Sequence, residues 1–310
     1  RRLGSRRAHM DPEPLLPPAG HKSMAGALVP LRLHWDGYSS AEVQRRAQLR
    51  RLDAVVIPLF ALWYLLLAAC VHAPSAPGSS ASVPDSSLLA AGIRVALALV
   101  AVYVLAVHSL AFPAPTATQD SYRAQARLGR WIYLTRHGVC LQAWHEVFSV
   151  LAAFSPELAL LTNGMSVGIA CLGWFVTVQY FVLVVPSAAF REDCKLWKDR
   201  GVQFQEVSAL LHAPCLPVAV LDLTIAKSAA GLAEAVSAQR NLALMVIYVL
   251  VYLTLIIANH QATGLWPYGF MKDFGTNLKK WAPFVATQIG ILFVFGSVNY
   301  LIFWVKAYMQ

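Results

Sequence analysis

Three polar side chains interrupt apolar runs of this chain, and their types suit acyl transfer. Thr135 lies in the stretch GRWIYLTRHGVCLQ, His212 in LLHAPCLP and His260 in NHQATGLWPYGF. A threonine hydroxyl is a poor nucleophile unless a base within hydrogen-bond reach takes its proton. A histidine can take that proton and return it to a departing alkoxide. Thr135 as nucleophile and His212 as the proton-handling group would therefore read as a membrane-embedded hydrolase. The position of Thr135 does not select this reading by itself, because threonine hydroxyls in membrane helices commonly bond back to a carbonyl one turn earlier. An intramembrane histidine is a functional candidate or a hydrogen-bonded packing residue.

The elements that must carry these groups are apolar helices. Trp131, Thr135, Gln142 and Glu146 recur at a spacing that puts them on one helical stripe, which an apolar helix turns inward. His212 precedes Pro214 and Pro217, which open a helix locally and make room for water or a substrate carbonyl. Thr135 and His212 lie near the starts of two spans that run in the same direction. At about 1.5 Å per residue both are expected on the order of 10 Å below one interface. His260, at the end of the next span, is expected near the same side.

Hydrophobic residues make up 57% of the 310 and charged residues 13%, with a mean hydropathy of +0.53. That charged fraction is about half of what soluble domains carry. Long unbroken apolar runs favour membrane helices, since a barrel would show short alternating segments. The expected fold is all-α: a polytopic helical membrane bundle with seven spans, at 54–71, 88–112, 131–154, 166–189, 204–225, 242–258 and 284–305. Residues 1–52 are expected to be a basic, largely disordered cytosolic tail. Residues 53–87 should hold an apolar span and a Pro/Ser linker, and residues 88–310 a six-span core. The first apolar run begins near Ala54, so no cleavable leader is expected. Lys and Arg crowd the tail and the loops after spans two, four and six, which predicts a cytosolic N-terminus and an external C-terminus.

The net charge of +9 is mostly peripheral, with ten of the 25 Lys and Arg before Asp53. It is expected to set orientation and to meet anionic headgroups of membrane lipids rather than nucleic acid, for which no module is present. Five cysteines with no CxxC pattern read as reduced thiols. His108, His137, His145 and Glu146 lack paired metal-ligand spacing, so neither a metal nor a cofactor is expected.

Three segments together resemble the androgen-induced protein family, which includes the androgen-dependent TFPI-regulating protein: RWIYLT followed by Leu141 and Gln142, HAPCLPVAVLD, and HQATGLWPYGF. The third is the most specific, a histidine followed by Thr-Gly-x-Trp-x-Tyr-x-Phe. The resemblance runs from about residue 88 to the end. It implies a multi-span hydrolase that cleaves fatty acid esters of hydroxy fatty acids with an intramembrane threonine and histidine. These map onto Thr135 and His212. Asp222 falls where the family carries a carboxylate, which orients a base or caps a packing network. Three features depart from the family pattern. Ala209 replaces a frequent extra histidine, the span at 54–71 is an addition to six, and the loop after span three is neutral where the family's is basic.

The expected function is thus a membrane-embedded lipid ester hydrolase with Thr135 and His212 catalytic. Trp131, Gln142, Glu146, His260 and Trp266 are expected to support the site or bind substrate. Gln142, His260, Trp266 and backbone N–H groups near Gly138 are candidate oxyanion donors. The lipid substrate would arrive from the bilayer of an endomembrane or the plasma membrane. The alternative is a non-catalytic multi-span protein: a lipid binder, transporter or receptor.

Overall fold

The computed structural model describes residues 40–71, 87–110, 128–199, 203–268, 271–272, 274–275 and 277–308. Most of the expected tail, the Pro/Ser linker at 72–86 and the loop holding Arg123 and Arg127 lie outside the described residues.

Among the described residues ten α-helices follow in order: α1 Ser40–Val71, α2 Leu88–Leu110, α3 Leu134–Leu151, α4 Pro156–Gln179, α5 Ala188–Asp199, α6 Phe204–His212, α7 Cys215–Leu221, α8 Ala229–Ala235, α9 Ala238–Thr263 and α10 Leu278–Tyr308. Among the described residues there is no strand. Among the described residues six segments are long and apolar enough to cross a membrane: Ala47–Val71, Leu88–Leu110, Pro156–Val184, Phe204–Ala226, Ala238–Thr263 and Leu278–Lys306. The chain is an integral multi-pass helical bundle.

The third expected span is α3, and it differs from the other six. It carries Arg136, His137, Gln142, His145 and Glu146 within 18 residues. Such a helix is stable at this depth only if neighbours supply the partners that lipid cannot. It packs against α1, α2 and α4, and Arg136, His145 and Glu146 are fully buried. It also begins later than its apolar pattern suggests. Gly129 has φ +55°, Gly129–Ile132 forms a 3-10 turn, and Tyr133 is extended, so the helix starts at Leu134. The expected start of span four at Ser166 is corrected to Pro156. Ser155 caps that helix by accepting from the Leu158 amide at 3.2 Å, with Pro156 in its first turn.

Helix α4 is the hub and touches α1, α3, α7, α8, α9 and α10. Close approach there depends on a small residue. A Cβ on Gly173 would come within 2.6 Å of the Cys215 carbonyl oxygen. The fifth span is broken as its two prolines require, into α6, α7 and a π-helical stretch Asp222–Ala226. A second π-helical stretch, Tyr180–Val184, extends α4. An extra residue in a turn shifts the register of the side chains around it, and such bulges gather at functional sites.

Candidate active site

Helix α3 begins beside the break in the fifth span, with α4, α9 and α10 closing the space between them. There, Thr135 and His212 line one hollow of about 110 Å³. Its walls are mainly apolar, from Leu172 and Val176 on α4 to Ile256 on α9 and Leu292 on α10. Its polar lining comes from Gln179, Tyr180, Tyr248, Tyr252, Tyr268 and Gln288.

The His212 ring is held on two sides. Its Nδ1 lies 2.6 Å from the Ser208 carbonyl. A carbonyl only accepts, so Nδ1 carries the proton and Nε2 keeps its lone pair. One face of the imidazole stacks on Tyr180. The backbone is held as well, because the Thr177 hydroxyl donates to the His212 carbonyl at 2.7 Å. Gln142 donates to the Cys215 carbonyl at 2.8 Å. These two bonds satisfy carbonyls at the break in the helix.

Thr135 is the second residue of α3, half-buried, where the first N–H groups of a helix have no partner within it. The Leu134 amide donates to the hydroxyls of Tyr252 and Tyr268, at 3.0 and 3.1 Å. Tyr252 donates to the Ile132 carbonyl at 2.8 Å, so in its 3.0 Å contact with Tyr268 the latter is the donor. Burial raises the Tyr268 pKa, which keeps this hydroxyl neutral. Neighbours brace the turn before Thr135. His137 Nε2 donates to the Trp131 carbonyl at 2.7 Å, so its Nδ1 accepts from Tyr248 at 2.9 Å. Arg136 pairs with Asp53 at 2.9 Å, donates to Ser109 at 2.7 Å, and lies 4.8 Å over the Trp131 ring. Trp131 donates its indole N–H to the same Asp53 at 2.9 Å.

The remaining sequence candidates do not line the hollow. Trp131 supports the turn from behind, and Gln142 holds the broken helix. His260 and Trp266 stack on each other, centroids 3.9 Å apart and planes 7° apart. Their conspicuous string is a helix end: Gly264, at φ +75°, donates to the His260 carbonyl and caps α9. His108 accepts from Arg136 at 3.2 Å.

Glu146 belongs to a different centre. His145 is ten positions beyond Thr135, about 15 Å along the helix. Its Nε2 lies 2.9 Å from Asp222, and its Nδ1 lies 2.8 Å from the Tyr64 hydroxyl. Asp222 therefore meets His145 and not His212. His145, Glu146 and Asp222 offer ligand atoms within 4.8 Å of one another, a grouping no local spacing reveals because Asp222 comes from another helix. The surroundings oppose a metal. Lys227 lies 3.9 Å from Asp222 and donates to Ser149 at 2.7 Å. Arg94 donates to the Ala226 carbonyl at 2.7 and 2.9 Å, and Lys306 to the Thr224 carbonyl at 2.8 Å. Lys227 already faces Asp222, with Arg94 and Lys306 bonded to carbonyls of the same segment, so a divalent ion would add positive charge beside cations in a low-dielectric site.

A family model described as FAR-17a/AIG1-like protein matches residues 93–302, two thirds of the chain. No curated protein and no solved structure matches it.

Proposed function

We propose, from the premise that this chain belongs to the FAR-17a/AIG1-like protein family, the androgen-induced protein family, that it is a membrane-embedded lipid ester hydrolase. Nε2 of His212 takes the proton from the Thr135 hydroxyl, and the oxygen attacks the ester carbonyl. The tetrahedral intermediate collapses to an acyl-threonine, and His212 returns the proton to the departing alkoxide. Water, deprotonated by the same imidazole, then attacks the acyl carbon; the bond to the Thr135 oxygen breaks, that oxygen recovers the proton from His212, and the carboxylic acid leaves. The N–H of Thr135 and the positive end of the α3 dipole face the developing oxyanion. The substrate class is fatty acid esters of hydroxy fatty acids, as the family resemblance implies. Access is from the bilayer of an endomembrane or the plasma membrane.

The observation that carries this reading is that Thr135 and His212 share one apolar hollow, in which His212 bonds Ser208 through Nδ1 and keeps Nε2 as a base. The test is purified protein assayed against p-nitrophenyl and branched lipid esters, with a fluorophosphonate probe in parallel. Thr135→Ala and His212→Ala should each abolish hydrolysis, and Thr135→Ala should also abolish labelling, with both variants still folded. Full activity and labelling in Thr135→Ala would remove the nucleophile assignment. A wild type inert towards every ester would favour a non-catalytic lipid binder.

A further inference from the structure

A second hollow of about 360 Å³ adjoins the first. It lies between α4, α9 and α10, and Met245 and Leu292 line both hollows. From Leu292 it follows α10 past Gly296 and Tyr300 to Trp304, a rise of about 18 Å along the helix. On α9 it runs from Met245 back to Ala238, the first residue of that helix. Its lining is apolar apart from Ser297, the polar tips of Tyr300 and Trp304, and Asn241, whose amide group donates to the Gly164 and Ser237 carbonyls at 3.0 Å each. Several wall residues face outward, with Leu301 and Trp304 each 58% exposed.

We propose that this groove holds the distal part of a long acyl chain whose ester lies at Thr135, and that it sets the enzyme's preference for chain length. The proposal rests on the hydrolase reading for the position of the ester. Three features identify the occupant as substrate chain. The first is adjacency: the two hollows lie between the same three helices, α4, α9 and α10, and share Met245 and Leu292 as wall, so a chain leaving the Thr135 hollow past these two flexible side chains reaches the groove. The second is length. The combined path along α10 from Phe284 to Trp304 covers about 30 Å, the thickness of the hydrocarbon core. The groove alone is about 18 Å, somewhat more than the half-thickness that one leaflet's chains span. The third is shape. Gly296 keeps the groove open beside Cys171, whose sulfur would lie 3.7 Å from an added Cβ. That is an ordinary contact, so a methyl group fits there, whereas a larger side chain would fill the groove. The open outer wall lets the chain slide in sideways from the bilayer, which avoids drawing it through water.

The test uses the full chain in nanodiscs and p-nitrophenyl esters from acetate to palmitate. Wild type should favour long chains. Gly296→Leu should lower kcat/KM for palmitate about tenfold or more and leave acetate unchanged, since each excluded methylene withdraws binding energy. Gly296→Ala controls for folding and should behave as wild type. An equal effect of Gly296→Leu at all chain lengths, or none at any, would overturn the proposal. A second readout separates it from the hydrolase reading: a palmitoyl ester with a diazirine near its terminal methyl group. In wild type it should label Tyr300 or Trp304, and Gly296→Leu should lose that label. Labelling there without ester hydrolysis would remove the reaction and keep the groove as a chain site. Labelling spread evenly over the lipid-facing helices would mean that bulk lipid fills the groove, and would overturn the inference.

Discussion

The imidazole of His212 lies flat on the phenol ring of Tyr180, with ring centroids 4.0 Å apart and planes 12° from parallel. Tyr180 opens the π-helical stretch that ends α4, and His212 ends α6 where the fifth span breaks. Two irregular backbone segments thus meet through their side chains, and the contact sets the tilt of the imidazole at the hollow. A base that must reach one hydroxyl depends on such orientation, because small misplacements cost rate steeply.

Tyr180→Leu therefore should reduce kcat more than it changes KM. Aromatic pairs contribute about 0.5–1.5 kcal/mol beyond area burial, which corresponds to a loss of roughly two- to tenfold. Tyr180→Phe keeps the stack and should retain most activity. Steady-state kinetics on one soluble ester would decide, and equal rates for both variants would remove the orienting role.

Asp53 joins α1 to the turn that precedes Thr135. It accepts from Trp131 and pairs with the buried Arg136. Asp53→Asn leaves that guanidinium without its countercharge and should lower stability by about 1–3 kcal/mol. Thermal unfolding in detergent measures this directly. An unchanged midpoint would show that Ser109 and His108 suffice for Arg136.

The carboxylates of the second cluster should respond in opposite ways. Asp222 holds His145 and faces Lys227, so Asp222→Asn should cost about 3 kcal/mol or more by unbalancing a buried network. Both oxygens of Glu146 lack a hydrogen-bond donor, so Glu146→Gln should be neutral or stabilising, since it removes a buried charge that no hydrogen bond reaches. Unfolding midpoints of the two variants, compared with wild type, test the contrast. A strong loss in Glu146→Gln would give that side chain a role in the network.

Gly173 is a point of close approach between α4 and the broken span. Gly173→Ala pushes a methyl group toward the Cys215 carbonyl and should destabilise by about 1–3 kcal/mol through overpacking. It should also disturb His212, whose carbonyl is bonded from the same helix by Thr177. An unfolding midpoint and specific activity equal to wild type would show that α7 can shift freely.

Much of the fold was legible in the order of the residues. Unbroken apolar runs must become helices in lipid, because only a helix satisfies its own backbone there. The prolines at 214 and 217 marked the broken span, since each removes an N–H donor. The polar stripe of α3 showed that this helix faces protein. What each polar residue faces was decided by the tertiary structure, because partners come from helices distant in sequence. Thr135 and His212 are 77 positions apart and line one hollow. Glu146, on the same stripe as Thr135, lies about three turns farther on, among residues of α1, α7 and the segment after it. Asp222, ten positions after His212 and at the start of a π-helical stretch, faces His145. His260 and Trp266 formed the most distinctive string, yet their side chains stack at a helix end. Periodicity sets which face of a helix is polar, whereas depth, breaks and bulges set which polar groups meet.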